Sequence, residues 1–123
     1  MKIILAIGSG SFIGGALRYL LSQFVQARYP AAFPYGTFSV NIIGCLLIGV
    51  VFAVAERNNL PQEWRLFLAT GVLGGFTTFS SFSYETVILL RDGQHFPAAA
   101  YIFASIVVGL LATFIGIALV KLF

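Results

Sequence analysis

The sequence predicts an all-α integral membrane protein with four spanning helices, the third broken near its middle. Three observations carry that prediction. Of the 123 residues, 59% are hydrophobic and only 9% are charged, against roughly 25% charged in soluble domains. Mean hydropathy is +0.99, and apolar segments at about 3–27, 35–55, 66–90 and 96–120 each supply the ~20 residues a bilayer core requires. The third segment also holds Gly-Gly-Phe-Thr-Thr-Phe-Ser-Ser-Phe-Ser-Tyr-Glu at 74–85, a run that a helix merely sitting in lipid would not need. The whole chain, 1–123, reads as one four-helix transmembrane unit. Short connectors at 28–34, 56–65 and 91–95 join the spans, and Pro30, Pro34, Pro61 and Pro97 fall at or beside segment ends, where proline punctuates without breaking a span.

The first span carries Gly8, Gly10, Gly14 and Gly15 with Ser9 and Ser11 between them. The spacing does not fit a nucleotide loop, and no strand flanks it. Small residues at this density let helices approach closely. Lys2 ahead of an apolar run faintly resembles a secretion leader, but the run continues to Ala27 with Arg18 inside it, so a retained span is expected. An arginine within a span is costly. Arg18 reads as a donor to helix-end carbonyls or a vestibule lining, with direct ion contact as the alternative.

In the second span, Thr37, Asn41 and Cys45 recur every four residues and so lie close to one helical face. Asn41 is the most expensive uncharged residue in the spans. It can bond another helix or donate to an ion in a pore, and the sequence leaves both open. Cys45 stands alone and reads as a packing residue.

The third span concentrates the polarity. Thr77, Thr78, Ser80, Ser81 and Ser83 crowd around Phe76, Phe79 and Phe82, and Glu85 is the only acid well inside a span. Gly74 and Gly75 disfavour helix, and the threonine pair is weakly helix-forming. A break is therefore expected here, with a tightly packed helix whose Ser and Thr bond their own turns as the alternative. Unwound backbone at membrane depth needs protein or a water-filled path beside it. The fourth span adds Tyr101, Ser105, Gly109 and Thr113 as a polar-to-small stripe, either a packing seam or a pore wall.

With an even number of spans, Lys2, Arg57, Arg65 and Lys121 lie on one side and Arg28 and Arg91 on the other. That is a weak bias under the positive-inside rule, which leaves open insertion in both orientations or in one orientation by a modest margin. The net charge of +3 without a basic cluster does not suit nucleic acid. Nearly all the intramembrane polar groups are neutral donors. Cation paths use acidic rings or ordered carbonyls, and proton relays use Asp, Glu and His chains. Neutral donors suit a small hydrated anion, and a phenylalanine turned edge-on offers the positive end of its quadrupole to one. The single histidine, His95, lies in a connector, and no hydrolytic or metal-ligand spacing accompanies it.

Over essentially its full length the chain resembles the Fluc (CrcB-like) fluoride channels. The resemblance rests on Gly-Gly-Ala-Leu-Arg (14–18), Gly-Thr-Phe-Ser-Val-Asn-Ile-Ile-Gly (36–44) and Gly-Gly-Phe-Thr-Thr-Phe-Ser-Ser-Phe-Ser (74–83). Ser81 departs from the more usual threonine but keeps the hydroxyl. The resemblance implies an antiparallel, dual-topology homodimer in the inner (plasma) membrane, with two fluoride pathways. It implies that Phe79 and Phe82 line each pore and that Asn41 bonds the ion. It further implies that Tyr101, Ser105, Thr37, Ser80 and Glu85 continue a polar track, and that Arg18 lies at a vestibule. A structural Na⁺ at the dimer interface would be held by the backbone carbonyls of Gly74 and Thr77. The alternative, a small dual-topology proton-coupled multidrug exporter, needs a membrane-embedded glutamate in the first span, where this chain has Arg18 instead.

Overall fold

A computed structural model describes residues 1–123, and every regular element in it is helical. Helix α1 runs Lys2–Arg28 and α2 runs Tyr35–Arg57. The third span, Gln62–Arg91, is composite. It comprises a one-turn α3 (Gln62–Arg65), a π-helical stretch (Leu66–Leu73), a short α4 (Gly74–Phe76) and, after two extended residues, α5 (Phe79–Arg91). Helix α6 closes the chain at His95–Leu122. Four helical spans are long and apolar enough to cross a membrane, as the hydropathy pattern predicts. The third begins four residues earlier than expected, at Gln62. Pro61 adopts φ −55° there and starts the helix before the apolar run, because a proline's missing N–H costs nothing at a helix start.

The span ends follow from backbone chemistry. Beyond α5, Gly93 has φ 74°. Its N–H donates to Leu90 O at 3.1 Å while Gln94 N–H donates to Leu89 O at 2.8 Å, a left-handed terminator that favours glycine. Beyond α2, Asn59 takes the same role at φ 52°, with Leu60 N–H on Ala55 O at 3.0 Å. Arg57 then donates to Val120 O (3.0 Å) and Phe123 O (2.9 Å), at the end of α6 where intrahelical donors run out.

Helices pack where side chains are absent. A Cβ on Gly14 would collide with the Val72 carbonyl oxygen, and one on Gly10 would come within 2.7 Å of Phe67 O. Gly75 meets Ser11 O in the same way, at 2.6 Å. Helix α1 therefore lies backbone-to-backbone on the first half of the third span. Gly8 and Gly15, expected to share this role, have open space around them, with nothing within 4 Å of where a Cβ would stand; only one stripe of a helix can face one neighbour. The seam between α2 and α6 is built alike, from Gly49 against the Thr113 carbonyl and Gly116 against that of Leu46. Thr113 Oγ1 donates across it to Cys45 O at 3.0 Å. Only 21 of the 123 residues are buried, so the outward apolar faces, such as Phe12, Phe24, Phe103 and Phe114, require lipid or a second protein around them.

Candidate functional site

The break in the third span organises the site. Thr77 (φ −88°, ψ 158°) and Thr78 (φ −152°, ψ 113°) are extended, and no helical turn bridges them. Asn41, reaching from α2, substitutes for the missing turn. Its Oδ1 accepts from Thr78 N–H at 2.8 Å and its Nδ2 donates to Thr78 O at 3.1 Å. Thr78 then caps α5, its Oγ1 accepting from Ser81 N–H at 3.2 Å, as a good helix start requires. Gly44 gives Thr77 its space, since a Cβ there would strike Thr77 Cγ2.

This arrangement redirects two donors. In a continuous helix the Thr78 N–H would serve Gly74 O and the Ser81 N–H would serve Thr77 O. Both donate elsewhere. Gly74 and Thr77 are therefore carbonyls released from helical pairing, and Gly74 is exposed at the break. No group of three or more His, Cys, Asp or Glu side chains gathers anywhere, so a metal ion here would be held by backbone oxygens. The Gly74 and Thr77 carbonyls fit that chemistry, because hard neutral oxygens suit an alkali cation.

A cavity of about 390 Å³ lies against the break. Asn41, Phe79, Phe82 and Ser105 line it together with Cys45, Gly44 and apolar neighbours, and none of its lining residues is charged. The rings of Phe79 and Phe82 lie 5.5 Å apart and are tilted at 46°. Phe82 also meets Tyr101 at 5.0 Å and 62°, close to edge-on. Phe79 is 79% exposed on the isolated subunit, whereas Phe76 is buried, so the three-residue spacing of these rings separates the first from the other two. Ser105 Oγ is buried and has no hydrogen-bond partner. A buried hydroxyl left free is costly, and this one belongs to a residue that lines the cavity.

Two further groups sit nearby. Glu85 accepts at 2.6 Å from Thr37 Oγ1 and at 2.8 Å from Tyr101 Oη, so both carboxylate oxygens are engaged by neutral donors from α2 and α6. Phe33, in the loop after α1, packs on Tyr101 at 5.3 Å. Gln26 holds that loop, donating to Ala31 O and accepting from Gly36 N–H, both at 3.1 Å. On the other side, a smaller cavity of about 240 Å³ is lined by Arg18, Tyr19, Ser22, Thr37, Thr78 and Ser81, among others.

The predicted residues thus fall into connected groups. Asn41, Phe79, Phe82 and Ser105 share one cavity; Thr37, Glu85 and Tyr101 share one hydrogen-bond cluster; Arg18 and Thr37 share the smaller cavity. Ser80 is exposed at the start of α5, 3.2 Å from the Thr78 hydroxyl. The sequence pattern gave Thr78 a part in the break but no place among the candidate site residues, and it gave Ser22 no role. Thr78 itself was a legible capping signal, since threonine is a favoured N-cap residue whatever stands three positions later. The π-helical stretch before the break had no signal, because the largely apolar run at 66–73 looks alike at either pitch.

Comparison with known proteins agrees with this architecture. Residues 5–117 match the family described as CrcB-like protein, Camphor Resistance (CrcB). The "Fluoride-specific ion channel FluC" of Geobacter sulfurreducens is 49% identical over 118 residues, covering 95% of both chains. The protein of the same name from Chloroflexus aurantiacus is 46% identical over 124 residues, covering 100% of this chain and 98% of the other. That of Oceanobacillus iheyensis is 42% identical, covering 97% and 92%. Matches of this extent, reaching across all four spans and the break in the third, place the chain in the CrcB-like family.

Proposed function

We infer that the chain is a passive, fluoride-selective channel that lets cytoplasmic fluoride leave the cell, relieving its toxicity. It acts in the plasma (inner) membrane, and the whole chain serves as one subunit of an antiparallel homodimer. Relatives similar along the full length carry the name of a fluoride-specific channel. Beyond those names, one observation carries the reading: a single uncharged cavity gathers Phe79, Phe82, Asn41 and an unpartnered Ser105 hydroxyl. Neutral donors replace the water of a small anion without trapping it, and ring edges add a weak positive potential. Asn41 retains one amide N–H beyond the one given to Thr78, enough to donate to the ion. Thr37, Ser80, Tyr101 and Glu85 continue the polar track, and Arg18 draws anions to its mouth.

The dimer reading rests on the surface beside the break, where Gly74, Phe79 and Ser80 are all exposed. A second copy would cover them, and the weak charge asymmetry permits the opposite orientation. Na⁺ held by the Gly74 and Thr77 carbonyls of two copies would supply a fixed positive charge at their seam. The chain's own part is to keep those two carbonyls free, through Asn41 and the Thr78 cap.

Fluoride efflux from liposomes holding only the purified protein, with chloride run in parallel, tests the reading. Rapid fluoride loss without chloride loss is expected. Folded protein that passes neither ion would end it. Phe79→Ile and Phe82→Ile should each lower fluoride flux by about tenfold or more, equivalent to ~1.4 kcal/mol on the barrier, while the protein still elutes as a dimer.

A further inference from the structure

Two cavities flank the break, one lined by Phe79 and Phe82 and the other by Arg18, and Thr78 is the one residue that lines both. It is 8% exposed. Asn41 pins its backbone from both sides, at the N–H and at the carbonyl, so the peptide at this wall cannot swing. Its hydroxyl is different. Thr78 Oγ1 accepts from Ser81 N–H and lies 3.2 Å from both Ser80 Oγ and Ser81 Oγ. Ser81 itself lines the Arg18 cavity. Each hydroxyl has one proton and two lone pairs and reorients by rotation about a single bond. The hydroxyl cluster can therefore redirect its protons while every backbone atom stays in place.

We propose that Thr78 is the transfer residue between the two cavities, its O–H donating to a small hard anion as the ion passes from the Arg18 side to the phenylalanine side. The assignment rests on the fluoride-channel reading and adds a residue to it. The rigid backbone keeps the passage narrow, and the mobile proton lets one donor serve both sides. A structural account of Thr78 stops at the capping of α5, and the two accounts separate under substitution.

Asn and Asp both cap helices about as well as Thr or better, so Thr78→Asn and Thr78→Asp should fold alike by circular dichroism and size-exclusion profile. They differ in what they offer an anion. Asn keeps a donor, whereas ionised Asp only accepts and repels. In liposome efflux, Thr78→Ser and Thr78→Asn should retain fluoride flux within about tenfold of wild type, whereas Thr78→Asp should lose about a hundredfold through charge repulsion in a low-dielectric wall. Thr78→Val, lacking any donor, should lose about tenfold; if it fails to fold, the Asn and Asp pair still decides. Equal flux through the Asn and Asp variants overturns the assignment and leaves Thr78 as a cap. An absence of fluoride flux in the wild type is a separate result, which removes the channel reading and this assignment with it.

Discussion

The two halves of the third span are held in place by opposite means. Before the break, the π-helical stretch and α4 lie on α1 through glycines, with Gly10, Gly14 and Gly75 admitting direct backbone contact. After it, α5 is held by polar groups: the Thr78 cap, the Asn41 clamp and the Glu85 cluster with Thr37 and Tyr101. The first half is fixed by shape, the second by hydrogen bonds. Hydrogen bonds can hold a helix end beside a cavity without filling it, whereas backbone-to-backbone packing leaves no space between the two helices it joins. The difference explains why every candidate pore group except Arg18 lies in or faces the second half.

That contrast can be broken from either side, and the glycine side should give the larger effect. Gly14→Val places side-chain atoms into the Val72 carbonyl, and backbone cannot yield as a flexible side chain can. The expected cost is ~3 kcal/mol, at the upper end for overpacking, read as loss of the monodisperse size-exclusion peak. Normal yield and elution of that variant would mean α1 does not need this contact.

On the polar side, Asn41→Leu strands the Thr78 N–H and carbonyl, at ~1–3 kcal/mol for an unpaired buried group. The protein should still assemble but exchange the Thr78 amide hydrogen faster. Unchanged exchange would show that another partner holds the break. The smallest effect belongs to Gly8→Ala, which meets open space and should stay within ~0.5 kcal/mol of wild type. A large loss there would mean that the outer face of α1 is packed against something, such as a second copy.

Much of this was present in the sequence. The four spans follow from hydropathy and length, because a bilayer demands long apolar helices whatever their neighbours are. The break was legible in Gly74, Gly75, Thr77 and Thr78, residues that oppose helix locally. The joint placement of Asn41, Phe79 and Phe82 was legible only through the family resemblance. Three features were decided by tertiary structure alone. Which glycines of α1 pack depends on its rotation against the third span, which selected Gly10 and Gly14 over Gly8 and Gly15. Where Glu85 points depends on Thr37 and Tyr101, 48 and 16 residues away along the chain. The release of the Gly74 and Thr77 carbonyls required Asn41 to arrive from another helix. Local propensity can weaken a turn, but only a partner brought close by folding can supply the hydrogen bonds that keep it open.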